Sequence, residues 1–216
     1  MKILYEDEAV IVIHKESGEP VQSAQIGAAD CVSMLKNHLA KAQTTQKGEP
    51  YLGVVHRLDQ PVAGLLVFGK SEKAAAALSA QLNDKRMSKR YHAVVEGIVP
   101  DEGPIRLVDM IYKDASKSKA AVGERADAKK AELVYKVESV NHEDNTSILD
   151  IELITGRFHQ IRAQLSHAGY PILGDGKYGS SRRHEDNIRG GIALTADRLE
   201  FVHPVSGRKS LYTIEY

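Results

Sequence analysis

Apolar residues recur along this chain mostly in short alternating runs, the period of strands, with three stretches at helical spacing. Residues 3–5 and 9–14 read as strands joined by the acidic turn Glu6-Asp7-Glu8, and Ser17-Gly18 with Pro20 ends the second. Asp30 can cap a helix in which Val32, Leu35 and Leu39 share a face. A polar loop over 44–50 leads into a short strand at 51–55. Residues 64–69 form an apolar strand, and Ser71 then caps an alanine-rich helix over 72–82. Residues 90–96 alternate and stop at Gly97. The stretch 98–128 is mixed in pattern, and its Lys/Ser/Ala-rich patch at 113–121 is expected to be mobile. Strands follow at 131–140 and 147–155. A helix over 158–168 then stops at Gly169, with Pro171 beyond it. Residues 180–191 are charged and expected to be exposed, and strands at 199–203 and 209–215 flank a turn. Many strands, few helices and no strict β–α alternation predict an α+β fold with a mixed, largely antiparallel sheet flanked by helices and loops. With no repeat and no long linker, one domain over 1–216 is the economical reading.

Composition changes this picture little. The chain has 216 residues, 42% hydrophobic and 27% charged, enough for a sizeable core. One cysteine, Cys31, excludes an internal disulfide and fits a reducing, cytoplasmic setting. Acidic residues come too early for a signal peptide, and no apolar run reaches the length of a membrane span. Formal charge is zero, 29 basic against 29 acidic residues, so binding to nucleic acid needs basic groups gathered locally. Such gatherings occur at 113–119, at 157–162 and at Arg182-Arg183. Each, taken alone, also fits a solvated face.

The chemistry concentrates in two segments. Val55-His56-Arg57-Leu58-Asp59-Gln60-Pro61 lies between two apolar runs, where a strand edge displays polar groups. Asp59 is either a turn carboxylate capping local donors or a nucleophile or base in a cleft, which needs a nearby cation to stay ionised. Thr155-Gly156-Arg157-Phe158-His159-Gln160-Ile161-Arg162 supplies cations and amides. On a helix, His159, Arg162 and Ser166 share a face, opposite a buried stripe of Ile161, Leu165 and Ala168. Arg162 is a candidate partner for Asp59; a pair at ~4 Å and an effective dielectric of ~20 is worth about 4 kcal/mol before desolvation. Without Asp59, the solvated side of an ordinary amphipathic helix would be the preferred reading. Arg157, with the backbone around Phe158 at the helix start, suits a phosphate or is a plain surface arginine. Tyr91, on the strand Lys89-Arg90-Tyr91-His92-Ala93-Val94-Val95-Glu96-Gly97, is either a core residue or a ring that stacks on a base. No closely spaced ligand set makes a metal site with His56, and Gly174-Asp175-Gly176 lacks the features of a nucleotide loop.

His56-Arg57-Leu58-Asp59, Gly64-Leu65-Leu66-Val67-Phe68 and Lys89-Arg90-Tyr91-His92-Ala93-Val94-Val95-Glu96-Gly97 resemble, in order, the RluA family of pseudouridine synthases. Gly156-Arg157-Phe158-His159-Gln160-Ile161-Arg162, Gly169-Tyr170-Pro171-Ile172-Leu173-Gly174-Asp175 and Phe201-Val202-His203-Pro204 continue the resemblance across nearly the whole chain. It implies a pseudouridine synthase catalytic fold with an active-site cleft across the sheet, converting uridine in structured rRNA or tRNA to pseudouridine without metal or other cofactor. It assigns the catalytic aspartate to Asp59, the base-contacting aromatic to Tyr91 and the ion-pair partner to Arg162. Arg57 resembles the arginine that helps displace the target nucleotide; His56, Arg157, His159 and Gln160 complete the expected substrate-binding set. The chain departs from the family at Pro61-Val62-Ala63-Gly64, where Thr-Ser-Gly is usual, at His14-Lys15-Glu16 for Asn-Lys-Pro, and at Leu194-Thr195-Ala196 for Leu-His-Ala. By this resemblance it is expected to begin at the catalytic domain, without the additional N-terminal RNA-binding domain of some members. RNA contacts are then expected from the catalytic domain itself, with 113–119 and Arg182-Arg183 contributing. No membrane or obligate protein partner is expected, and a monomer is the simpler state.

Two other readings compete. A non-catalytic RNA-binding or ribosome-assembly module predicts binding without isomerised product. A metal-dependent hydrolase using His56 and Asp59 predicts cleaved product and loss of activity with a chelator.

Overall fold

Strand-forming runs and capped helices build a fold of eleven strands and three α-helices among the residues that the computed structural model describes, 1–23, 29–42, 48–182 and 191–215. In chain order these are β1 (Lys2–Glu6), β2 (Val10–Lys15), α1 (Cys31–Ala42), β3 (Gly53–Val54), β4 (Ala63–Gly69), α2 (Glu72–Asn83) and β5 (Ser88–Glu96). Then come β6 (Ile105–Asp114), β7 (Lys119–Val122), β8 (Lys129–Asn141), β9 (Thr146–Leu153), α3 (Gln160–His167), β10 (Leu194–Val202) and β11 (Lys209–Thr213). A 3-10 turn spans Gly176–Tyr178. The class is α+β, as the patterning predicts. The chain divides into two compact units, Met1–Ser88 with Ala196–Tyr216, and Lys89–Thr195.

In the first unit the strands run β1-β2-β4-β10, with β11 on β10 and β3 on β4. The β1–β2, β2–β4, β3–β4 and β10–β11 pairings are antiparallel. Val10, Val12, Leu65, Val67, Leu199 and Phe201 meet Ala74 and Leu78 of α2 in one apolar cluster. The expected caps are present: Asp30 accepts the Ser33 N–H at 2.7 Å, and the Ser71 hydroxyl accepts the Ala74 N–H at 3.2 Å. Each is worth about 1 kcal/mol. The amide of Gln81 on α2 brackets Val202, donating to its carbonyl and accepting its N–H, both at 2.7 Å.

The second unit orders its strands β5-β9-β8-β6-β7, and every one of these pairings is antiparallel. Ile111, Ala120, Ala131, Ala163 and Tyr178 form a small buried cluster beneath it. Ser147 is fully buried; it donates to the Gly97 carbonyl and accepts the Val99 N–H, both at 2.9 Å.

Several expectations are corrected. The patch at 113–121, expected to be mobile, is part of the β6–β7 hairpin. Its turn is organised by Asp114, whose carboxylate accepts the Ser116 N–H and hydroxyl at 3.1 and 2.6 Å, and it is pinned where the Ala120 N–H meets the Tyr178 hydroxyl at 2.7 Å. The helix expected over 158–168 begins only at Gln160, because His159 lies in the left-handed region at φ 50° and turns the chain before the first helical residue. The strand at 51–55 shrinks to Gly53–Val54. The strand at 199–203 starts earlier, at Leu194, and its buried phase shifts between Ala196 and Leu199. The expectations for 44–47 and for 183–190, with Arg183, lie outside the described residues.

Candidate functional site

In the first unit, the segment carrying Asp59 is fixed from below by a lysine. Lys15 ends β2 fully buried, and its ammonium donates to the carbonyls of Glu16 at 2.9 Å, Glu19 at 2.9 Å and Gln60 at 3.1 Å. Gln60 is held further: its carbonyl accepts the Gly18 N–H at 2.9 Å and its side-chain amide donates to the Gly18 carbonyl at 3.0 Å. The Ser17 hydroxyl donates to the Pro61 carbonyl at 3.0 Å. The Val62 N–H closes the turn onto the Asp59 carbonyl at 3.0 Å. Leu58 points into the core, while Arg57 is exposed and Asp59 half-buried. The backbone from Asp59 to Val62 is thus held by hydrogen bonds, with Asp59 itself half-buried.

Burial pushes the Lys15 ammonium down to about 8, against the opposing pull of Cys31, Glu19, Asp59 and Glu16. Burial likewise pushes the Cys31 thiol up to about 11, which leaves it an inert core group at neutral pH. His56 is buried, and its Nε2 accepts the Val67 N–H at 3.3 Å, which places the ring proton of that neutral form on Nδ1. Its role in this unit includes supporting β4.

The second unit holds Tyr91, Arg157, His159, Gln160 and Arg162. Tyr91 is buried on β5, opposite Ile151 of β9. Arg162 is 4% exposed, which excludes the alternative of a solvated basic face. The polar side of α3 packs against the segment from Asp175 to Tyr178 instead. Arg162 grips Asp175 through two hydrogen bonds of 2.7 and 2.9 Å, its guanidinium lies 4.8 Å from the Tyr178 ring centroid, and the Ser166 hydroxyl donates to the Tyr178 carbonyl at 2.6 Å. The forked geometry fixes the guanidinium plane and satisfies a charge that burial alone would penalise.

His159 is off the helix and stacks on Phe158, ring centroids 3.8 Å apart, while its Nδ1 meets the Tyr178 hydroxyl at 2.9 Å. Burial, reinforced by Arg162, Lys177 and Lys113, pushes its pKa down to about 3, so the ring is neutral across the physiological range. Gln160 is an internal organiser: its side-chain carbonyl accepts the Thr155 hydroxyl at 2.8 Å and the Arg157 N–H at 3.0 Å, and its amide donates to the Glu132 carbonyl at 3.1 Å. The Arg157 N–H is therefore taken, which removes it from the expected backbone phosphate site. The exposed guanidinium of Arg157 donates to the Lys130 carbonyl at 3.0 Å. Arg182 is anchored to the second unit by the Asp144 carbonyl at 2.6 Å and by Glu96, which accepts its N–H at 3.2 Å.

Three contributors escape sequence reasoning. Lys15 sits between polar neighbours and looks solvated, Asp175 is hidden in a Gly-Asp-Gly turn, and Tyr178 lies in an irregular segment. Only the apolar run Pro171-Ile172-Leu173 before Asp175 hints that this acid is buried. Among the described residues no group of three or more His, Cys, Asp or Glu side chains is placed to hold a metal ion, and no helix is long and apolar enough to cross a membrane.

Comparison with known proteins gives one consistent result. A family model described as RNA pseudouridylate synthase matches residues 9–167. The ribosomal large subunit pseudouridine synthase D of Zymomonas mobilis is 32% identical over 216 residues, covering 97% of this chain and 67% of its own length. The tRNA pseudouridine synthase C of Pectobacterium carotovorum is 30% identical, covering 96% of this chain and 57% of that protein. The chain thus spans 57 to 67% of the length of these two relatives. The solved structure of human RNA pseudouridylate synthase domain containing 1 matches with a TM-score of 0.77 at 19% identity, covering 100% of this chain and 83% of that one, a likeness of fold.

Proposed function

The chain belongs to the RluA family of RNA pseudouridine synthases, and we propose that it isomerises specific uridines in structured rRNA or tRNA with Asp59 as the reacting carboxylate. In the reaction the bond from C1′ to N1 of uracil breaks, the base rotates, and C1′ joins C5; the C5 proton is lost and N1 gains one. The reading gives Arg162 the task of keeping Asp59 ionised and Tyr91 that of contacting the target base. Arg57 helps displace the nucleotide, at a cost of a few kcal/mol for leaving the stack. His56, Arg157, His159 and Gln160 shape the substrate-binding surface, His56 and Gln160 from buried positions. No cofactor enters the scheme, and the chain acts as a monomer on RNA in the cytoplasm. Relatives named for the ribosomal large subunit and for tRNA support these two substrate classes.

The observation that carries the reading is the turn at Asp59, whose carbonyl accepts the Val62 N–H and whose neighbour Gln60 is held by Lys15 and Gly18. A carboxylate that must meet one carbon of an extruded nucleoside needs this positioning more than it needs reach. Asp59→Asn is isosteric and tests it directly. The variant is expected to fold and to bind RNA like the parent while forming no pseudouridine in transcripts of rRNA or tRNA. Turnover by Asp59→Asn at the parent rate would overturn the assignment.

A further inference from the structure

Phe158 is an anomaly in the second unit: a large aromatic side chain left 42% exposed, next to a buried polar network. The left-handed turn at His159 holds it there. One side of the ring is backed by the His159 imidazole, 3.8 Å away and tilted by only 22°, and His159 is tied in turn to the Tyr178 hydroxyl. The Phe158 ring is therefore a braced surface with little rotamer freedom to lose. Lys113 and Lys177 both act on the His159 ring that backs it. Lys113 holds its ammonium 5.0 Å from the Phe158 centroid, Lys119 sits 5.8 Å from the Tyr178 ring, and Lys177 reaches the Ser118 carbonyl at 2.9 Å. Asp175, the acid that acts on His159, is gripped by Arg162.

We propose that Phe158, braced by His159, is a stacking platform for one unpaired nucleobase of the bound RNA, with Lys113 and Lys177 taking the flanking phosphates. The proposal rests on the reading of the protein as an RNA-modifying enzyme and adds a contact point outside the reacting carboxylate. An exposed ring flanked by lysines matches the pairing of base stacking with backbone neutralisation that single strands require. Lys113 now rests over the ring, but an exposed cation–π contact is worth only about two- to fivefold in affinity. Stacking of a base on an aromatic ring is worth about five- to 150-fold. The exchange favours the base, and the flexible lysine stem lets the ammonium swing to a phosphate. The neutrality of His159 fits the same role, because a backing ring without charge keeps the platform sequence-tolerant.

The chain contains no tryptophan, so Phe158→Trp places a lone reporter at the platform. Titration of this variant with single-stranded oligouridylate, with labelled-RNA anisotropy recording binding separately, is expected to quench the indole emission as RNA saturates. Inorganic polyphosphate, which offers charge without bases, is expected to bind without quenching. Phe158→Ala is expected to weaken RNA binding and raise KM by about five- to 150-fold with kcat nearly unchanged, and Phe158→Tyr to restore both. Unaltered emission at saturating RNA, or parental affinity in Phe158→Ala, would overturn the proposal, as would equal quenching by polyphosphate. Quenching without any pseudouridine product would leave the platform standing and remove the catalytic reading; normal turnover without quenching would do the reverse.

Discussion

Replacing Lys15 by methionine probes the support of the candidate site. Methionine nearly matches the side chain in length but donates nothing, so the carbonyls of Glu16, Glu19 and Gln60 each lose a buried partner. The Gln60 and Glu16 carbonyls keep the Gly18 and Glu19 N–H groups as partners, so the loss is that of three bonds from a charged donor, about 1.5–3 kcal/mol each. Removing the charge has the opposite effect. Holding an ammonium at about 8 instead of 10.5 corresponds to about 3 kcal/mol of native-state penalty, which the variant escapes. The balance is a net loss on the order of 3 kcal/mol at neutral pH, read by urea denaturation with the m-value compared between the two proteins. The pH dependence carries a sharper signature. Between about 8 and 10.5 the unfolded lysine still binds a proton that the native one has released, so parental stability rises with pH in this window relative to the variant. The gap between the two proteins should therefore widen by about 3 kcal/mol from pH 8 upward. Because Lys15 also anchors Gln60, kcat should fall more than KM rises. A gap that stays constant across the window, or a variant as stable as the parent, would show that the ammonium is not the buried hub that its three bonds describe.

Asp175→Asn removes the charge that faces Arg162 in a buried pair, and uncompensated charges of this kind cost about 3–5 kcal/mol; thermal unfolding should show the loss, and turnover should fall through the misplaced guanidinium. Ser147→Ala leaves the Gly97 carbonyl and the Val99 N–H without their partner and should cost about 1–3 kcal/mol in denaturant melts, with activity per folded molecule unchanged.

What could be read from the sequence follows from where local physics decides. Caps at Asp30 and Ser71 and the unbroken apolar run that opens Val10–Lys15 declare their elements because side chain and backbone agree at close range. The β6–β7 hairpin is opaque because Val108 and Met110 stay 50% and 39% exposed, which breaks the polar–apolar alternation that marks a half-buried strand. The start of α3 is misjudged because Gln160 draws Thr155 and Arg157 into a local network, a tertiary choice with no periodic trace. For the site, the polar segment around Asp59 stands out between two apolar runs. Lys15 does not, since a lysine between His14 and Glu16 reads as solvated until the three carbonyls that surround it are seen. Arg162 is recognisable as a cation, but its bond to Asp175 depends on a turn thirteen residues away.

The first unit is discontinuous: Leu199 and Phe201, which close its apolar cluster, arrive only with the segment Ala196–Tyr216. During synthesis the ribosome must first deliver the whole of Lys89–Thr195, a delay of roughly 5–20 s at typical elongation rates of ~5–20 residues per second. For that interval Val10, Val12, Leu65 and Val67 wait without two of their partners. Nascent chains of this protein are therefore expected to present a half-finished β-rich core to chaperones until Ala196–Tyr216 has emerged, with the turn that bears Asp59 exposed to misfolding before it can be of use.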